Sequence, residues 1–334
     1  MRKETRVIVG SIIAVIISAI VIYIYSFSLN KNIILNIFSS VKLSQIFIAI
    51  LLTLFAFGFD GVKHYIVLKT LGQEITLLDA INSCFILAFF SAVTPFSAGG
   101  QPFQMVYLNK KGVESTYSMN VVMLRFFEMI FLMFLIDATY IFLFSGSISG
   151  ISGSLINLGL VLTLATSIVV ILGMLFPKKI ARILSLIRIP FLEKYIDRNS
   201  IEEWFYKLDY VVKTTFLEHK WLVFLDFIMM FVLLIIQSWV FYYAIKIFVP
   251  VHINFLQFLS IVNIVNTVVF LVPTPGASGS FEFIYSQALA PFAQNTEAII
   301  KGVLFYRFLV YYLVLAVGII ILIVFAKKSA TSKS

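Results

Sequence analysis

Long apolar runs alternate with shorter apolar pieces along this chain of 334 residues. A helix needs about 20 apolar residues to cross the hydrocarbon core of a bilayer. Six runs reach that length, so we expect an all-helical, polytopic membrane protein with about six full spans. The predicted spans are Val7–Leu29, Ile46–Leu68, Tyr117–Phe144, Leu155–Phe176, Trp221–Phe248 and Glu297–Ala326.

The shorter apolar pieces flank two stretches built on one pattern, TPFSAGGQP from Thr94 and PTPGASGSFE from Pro273. Proline removes a backbone donor and ends a helix, while glycine permits tight turns. Because the flanking pieces are too short to cross a bilayer alone, each stretch predicts the tip of a re-entrant hairpin. The outgoing half-helices should begin after Gly99 and Gly279.

The two halves of the chain superpose on a shift of about 180 residues. Each half then contains a span, a broken hairpin and a second span that carries an arginine, Arg125 or Arg307. If neither hairpin crosses the membrane, the second repeat is inverted relative to the first, an arrangement typical of transporters with a substrate site near the midplane. The expected divisions are a first helix in 1–30, a first repeat in 43–145, a connecting helix in 146–177, an amphipathic segment in 178–220, a second repeat in 221–326 and a tail in 327–334.

Composition and charge support the membrane assignment, with 61% hydrophobic residues and only 12% charged. Most of the 25 Lys and Arg residues fall near the termini and in segment 178–220, which places both termini in the cytoplasm by the positive-inside rule. An anionic membrane surface explains the net charge of +9, so no nucleic-acid partner is expected. The single cysteine, Cys84, and three scattered histidines indicate neither a metal site nor a cofactor.

Charged residues inside the spans are the main candidates for function, because a buried charge is costly unless it is paired or faces water. Arg125 and Glu128 lie three residues apart on one helix face and can neutralise each other. Arg307 has no acidic residue nearby on its own helix, so Glu282 or a lipid phosphate is its expected partner. The start of each outgoing half-helix also offers free N–H groups to an anion.

Several other polar residues remain open to more than one interpretation. Asp60 and His64, one helical turn apart, are equally consistent with a solvated face or cavity lining and with a proton relay. Asp137 and Asp226 lie near the ends of their spans and are expected at the membrane interface. Three asparagines either line the hairpins or form bonds between helices. They are Asn82, Asn263 and Asn266.

The two hairpin motifs, together with R-F-F-E after the first and Y-R-F-L-V-Y-Y near the end, resemble the lysylphosphatidylglycerol synthase transmembrane-region family, also called flippase-like domain proteins. The resemblance covers essentially the whole chain. That family includes the membrane part of the bacterial multiple peptide resistance factor, connected with resistance to antimicrobial peptides. In the family, the position of Gln101 is often a glutamate, so a charge is missing here, whereas Glu282 is retained.

The resemblance implies that a phospholipid or a polyprenyl-phosphate lipid is moved between the leaflets of a bacterial or archaeal cytoplasmic membrane. The name of the family also implies a role in lysyl-lipid synthesis. In the full-length factor, however, that chemistry belongs to a separate soluble domain, for which we expect no room here. An enzymatic role is therefore not expected. A small-anion transporter and a scaffold remain alternatives, and homo-oligomers or a separate lipid-modifying enzyme remain open as partners. The candidate translocation path comprises Thr94, Pro95, Gly99, Gly100, Gln101, Arg125, Glu128, Thr274, Pro275, Gly276, Gly279, Glu282 and Arg307.

Overall fold

The computed structural model describes residues 37, 39–144, 150–175, 206, 209, 210, 213, 215, 218–249, 253–272, 274–293 and 295–331. Within these residues the chain is helical and contains no strand. The predicted first span, Val7–Leu29, lies outside the described residues, as does most of the predicted amphipathic segment 178–220.

Ten α-helices make up the described part of the fold. The first five are α1 (Leu43–Thr70), α2 (Leu77–Val93), α3 (Gly100–Lys110), α4 (Ser115–Phe144) and α5 (Gly150–Leu175). The other five are α6 (Lys220–Phe248), α7 (Phe255–Phe270), α8 (Ser280–Leu289), α9 (Thr296–Arg307) and α10 (Leu313–Thr331). Short 3₁₀ turns at Pro95–Ser97 and Pro275–Ala277 separate α2 from α3 and α7 from α8.

Four helical segments of the described chain are long and apolar enough to cross a membrane. They are α1, α4, α6 and the continuous segment Thr296–Phe325 formed by α9 and α10. These four match predicted spans, and the chain is a multi-pass membrane protein. The apolar part of α5, Gly153–Val169, is shorter, as are α2 and α7. Six crossings therefore remain a prediction.

Three helices, α2, α7 and α9, each begin at a residue whose side chain caps the helix. Thr76 accepts a hydrogen bond from the backbone N–H of Asp79 at the start of α2. Asn254 caps α7 and Asn295 caps α9 in the same way. A capping side chain satisfies one of the backbone donors that the first helical turn leaves without a partner. The caps therefore fix where these helices start.

Each broken helix pair folds back on itself as a hairpin. In the first, Lys111 Nζ lies 2.6 Å from Asp79 Oδ1 and closes the base, while the rings of Phe90 and Phe103 stack with centroids 3.6 Å apart. In the second, the hydroxyl of Tyr285 donates to the carbonyl of Val262 at 3.1 Å. The two half-helices of each hairpin are thus held side by side, with the 3₁₀ turn at the tip.

The hairpins pack within the long helices. Helix α1 contacts α2 and α6, α4 contacts α5 and α7, and α10 contacts α2. Large apolar side chains on the outer faces, such as Phe142 and Trp221, are largely exposed. An apolar outer surface suits a protein whose surroundings are lipid, because no hydrophobic effect drives those side chains inward there. The arrangement places both hairpin tips among helices that carry buried charges.

Candidate functional site

The two hairpin tips share one backbone conformation at matching positions. Phe96 and Gly276, which the internal repeat superposes, both have φ of 55°. The next residues repeat a hydrogen bond, from Ser97 N–H to the Thr94 carbonyl at 3.2 Å and from the equivalent Ala277 N–H at 2.9 Å. The sequence repeat is therefore a repeat of local structure at the tips.

The tips also touch each other. The 3₁₀ turn that begins at Pro95 contacts the turn that begins at Pro275. The hydroxyl of Tyr311 donates to the carbonyl of Ala92 at 3.3 Å, just before the first turn. A Cβ on Gly276 would lie 3.0 Å from that same carbonyl oxygen and 2.2 Å from Cε2 of Tyr311. Glycine at this position lets the two hairpins approach closely.

The first tip is held by its own threonine. The hydroxyl of Thr94 donates to the carbonyl of Phe90 at 2.6 Å and accepts the N–H of Gly99 at 2.9 Å. Gly100 is packed tightly, since a Cβ there would lie 2.0 Å from Ser91 Oγ. Gln101 is half-buried. These contacts fix the start of α3, and the carbonyl of Gly99 begins the helical bonding pattern.

At the second tip, a carboxylate already occupies the start of the half-helix. Glu282 accepts the N–H of Gly279 through Oε2 at 2.9 Å, and its Oε1 lies 3.2 Å from Arg307 Nε. Arg307 also donates through Nη2 to the carbonyl of Gly276 at 2.5 Å and to the hydroxyl of Ser278 at 3.1 Å. The expected pairing of Arg307 with Glu282 is present, and both side chains are about 5% exposed.

Aromatic rings complete the surroundings of the Arg307 guanidinium. Its carbon lies 4.1 Å from the ring centroid of Tyr311 and 4.8 Å from that of Phe281. A planar cation between rings gains cation–π attraction, which increases where water is excluded. A π-helical turn, Phe308–Tyr312, follows Arg307 directly and interrupts the span that the sequence predicted as continuous. Such turns occur frequently at functional sites.

Thr274 lies at the start of the second tip, and its hydroxyl donates to the carbonyl of Ser278 at 3.4 Å.

The pairing of Arg125 with Glu128 that their spacing allowed is not the one in the structure. Arg125 donates through Nη1 to both carboxylate oxygens of Asp60, at 2.5 Å each. Glu128 instead accepts from Lys63 Nζ at 2.7 Å, and Asp226 lies 2.9 Å from the same nitrogen. Asp60 and Lys63 on α1 are three residues apart, as are Arg125 and Glu128 on α4. The two helices therefore match opposite charges at equal spacing, and both pairs join α1 to α4.

Two aspartates expected at the membrane interface, Asp137 and Asp226, are both buried inside the protein, and their depth in the membrane stays a prediction. Asp226 is 3% exposed and forms part of the Lys63 cluster. Asp137 is fully buried, and Asn263 donates to its Oδ1 at 3.4 Å. Asn263 thus bonds between helices, one of the two roles left open for the asparagines. Of the other two, Asn266 lies within 3.5 Å of the Tyr285 hydroxyl, and Asn82 is half-buried on α2.

His64 and Asp60 are buried and form no solvated face, while cavity lining and a proton relay stay predictions. Cys84 Sγ lies 3.1 Å from His64 Nδ1, and Gln104, a residue that sequence reasoning missed, is 3.4 Å from the same nitrogen. Donor atoms of Asp60, His64 and Cys84 all lie within 4.8 Å of one another. However, Arg125 already holds both oxygens of Asp60, and a metal cation there would stand against a guanidinium. The donor set does not fit a metal.

The fold and the buried charges define a helical, multi-pass membrane protein with two broken hairpins that meet at their tips. The family model for the lysylphosphatidylglycerol synthase TM region matches residues 11–318 of the chain. The chain therefore belongs to that family, as its motifs indicated. Among curated proteins, no significant match is found. The family points to a function connected with membrane lipid.

Proposed function

We propose that this protein moves a lipid with an anionic, phosphate-containing head group between the two leaflets of the membrane. The observation that carries the proposal is the Arg307 guanidinium at the tip of the second hairpin, buried in an apolar helix bundle. Intramembrane charges of this kind are expensive and mark substrate pathways. A guanidinium also matches the geometry of phosphate as well as that of carboxylate.

The occupied start of α8 suggests how a head group would bind. The carboxylate of Glu282 bridges the Gly279 N–H and Arg307, and these are the two donors that a phosphate would use. We infer an exchange in which the phosphate displaces Glu282 and leaves when the carboxylate returns. The side chain would then keep the arginine paired whenever the site lacks a lipid, which lowers the cost of a buried cation.

Arg125 provides a second cationic position for the same head group. Its side chain is 17% exposed, more than that of Arg307. Within the described residues, both of its bonds to Asp60 come from Nη1, so Nε and Nη2 remain for a further acceptor. A path with two cationic positions would let the head group pass from one to the other while its acyl chains stay in lipid.

Orientation and substrate are further parts of the proposal. The distribution of basic residues favours cytoplasmic termini and contact with an anionic membrane surface. The substrate class includes phospholipids such as phosphatidylglycerol and its lysyl ester, and polyprenyl phosphates, all of which carry the phosphate that Arg307 would bind. Inverted repeats would place the two hairpins on opposite sides of the membrane and their tips at the midplane.

The test is a flipping assay with purified protein in liposomes, using labelled phosphatidylglycerol, lysyl-phosphatidylglycerol and a polyprenyl phosphate. We expect Arg307→Ala to lose flipping of every lipid that the wild type moves. The matched control is Lys301→Ala on the same helix, where the lysine forms a surface pair with Glu297 at 2.9 Å. Exposed pairs contribute little, so this variant should flip normally. Equal flipping by wild type and the folded Arg307→Ala variant would refute the proposal.

The alternatives predict different outcomes in the same experiment. A small-anion transporter would move no lipid but would take up a labelled soluble phosphate or carboxylate. A role in lysyl-lipid synthesis predicts lysyl transfer from lysyl-tRNA by the purified protein alone. A scaffold predicts that Arg125 and Arg307 can be replaced by apolar residues without loss of any activity. Each of these results, with no flipping by the wild type, would replace the present proposal.

A further inference from the structure

Asp137 differs from the other buried acids of the described chain. Asp60, Glu128, Asp226 and Glu282 each lie within ion-pair distance of a lysine or arginine. Asp137 has no such partner among the described residues, although its exposure is 0%. Its Oδ2 makes no hydrogen bond, and its Oδ1 accepts a long hydrogen bond from Asn263 at 3.4 Å. A carboxylate buried in this way is strongly unfavourable without a compensating positive charge.

A hydroxyl on α5 interacts with this carboxylate, and a hydroxyl on α7 lies beside the first. The hydroxyl of Thr163 on α5 interacts with Asp137 and lies 2.7 Å from the hydroxyl of Thr267 on α7. Thr163 also donates to the carbonyl of Gly159 at 2.9 Å. Because a hydroxyl has one proton, Thr163 cannot serve Gly159 and Asp137 at once. The Asp137 carboxylate therefore has too few hydrogen-bond donors, whereas the oxygen atoms beside it can act as acceptors.

A second buried oxygen without a partner lies on the same helix face. Ser167, four residues after Thr163 and fully buried, makes no hydrogen bond through its hydroxyl. That face of α5 is turned toward α7, since a Cβ on Gly159 would lie 2.6 Å from the carbonyl oxygen of Ile264. Gly159, Thr163 and Ser167 thus form one stripe along the α5–α7 contact, and both unsatisfied oxygens belong to the same small region.

We propose that Asp137, Asn263, Thr163 and Thr267 form a binding site for a monovalent cation, Na⁺. One carboxylate neutralises one positive charge, whereas a divalent ion would leave an uncompensated charge in the membrane. Carboxylate, hydroxyl and amide oxygens are the ligands that hard cations prefer. Coupling ions in transporters bind beside broken helices, and α7 is the incoming half of the second broken hairpin. The proposal does not depend on the identity of the transported lipid.

The test is direct binding of ²²Na⁺ to the purified full-length protein in detergent, together with its thermal unfolding in NaCl or choline chloride at equal ionic strength and pH. We expect saturable binding and a higher midpoint temperature in NaCl. Asp137→Asn, which removes the charge and keeps the shape, should lose both effects. Thr163→Val should bind at least tenfold more weakly.

A matched control lies three residues further along α5. Thr166 is exposed and its hydroxyl bonds back to its own helix, at 2.9 Å from the Leu162 carbonyl. Thr166→Val should therefore keep wild-type Na⁺ binding, and the pair of threonine variants decides the question even if Asp137→Asn does not fold. Absence of saturable ²²Na⁺ binding would overturn the proposal. So would a midpoint that responds to pH but not to Na⁺, because the carboxylate would then hold a proton only.

Discussion

The close approach of the two hairpin tips depends on Gly276, and replacing it by alanine tests that contact. The residue has φ of 55°, and a Cβ would lie 2.2 Å from Tyr311 Cε2 and 3.0 Å from the Ala92 carbonyl oxygen. The left-handed conformation alone costs an alanine roughly 1–2 kcal/mol. Overpacking adds about 1–3 kcal/mol. We therefore expect Gly276→Ala to destabilise the protein by about 2–5 kcal/mol.

The chain supplies a matched control for the conformational part of this cost. Gly72 has φ of 74°, and a Cβ there would meet no atom within 4 Å. Gly72→Ala should then cost only the roughly 1–2 kcal/mol of the left-handed conformation. The difference between the two variants isolates the contact between the tips. Phe96, the equivalent of Gly276 in the first tip, has the same φ and carries a side chain that is 49% exposed. The backbone conformation therefore accepts a side chain where no neighbouring atoms crowd it.

The measurement is reversible unfolding of the purified protein in mixed micelles, following helix content as the fraction of denaturing detergent rises. Gly276→Ala should unfold at a clearly lower fraction than Gly72→Ala. Equal losses in the two variants would refute the reasoning, because they would show that the tips do not constrain position 276. A smaller loss in Gly276→Ala than in Gly72→Ala would refute it as well.

Two further predictions concern buried charge and helix packing. Lys63→Met should cost about 3–5 kcal/mol, because it leaves two buried carboxylates without a cation. Adding Glu128→Gln and Asp226→Asn should restore most of that stability in the same unfolding assay, and a triple variant as unstable as the single one would contradict the ion-pair account. Gly159→Ala should cost about 1–3 kcal/mol by overpacking against α7. Gly58→Ala, with open space at its Cβ, should cost nothing, and equal losses in the two alanine variants would contradict the packing account.

Hydrophobic run length was a sound guide to the long helices. The predicted spans Ile46–Leu68 and Tyr117–Phe144 correspond to α1 and α4, which extend them by only a few residues. The helix breaks at the two T-P motifs were also predictable, because proline and glycine act locally on the backbone. The π-helical turn after Arg307 was not, since nothing in the run Phe308–Tyr312 departs from an ordinary apolar helix.

Charge pairing was less predictable, because it depends on which helices become neighbours. Spacing along α4 allowed a pair between Arg125 and Glu128, and spacing cannot reveal that α1 supplies a partner to each of them. A signal was nevertheless present. Asp60 and Lys63 repeat the three-residue interval of Arg125 and Glu128, which is the pattern expected of two helix faces that neutralise each other. Pairs of spans with charges of opposite sign at equal intervals are therefore worth matching before pairs within one span.

The balance of positive and negative side chains in the buried ion-pair clusters bears on the proposed mechanism. Asp60 with Arg125 is neutral, and so is Glu282 with Arg307, if all groups are ionised. The Lys63 cluster holds two carboxylates against one ammonium, and Asp137 has no cation among the described residues. With all groups ionised, both excess charges in these clusters of the described chain are negative. If the proposed lipid translocation is coupled to a cation, acids without a permanent cationic partner are the groups that can bind and release that cation.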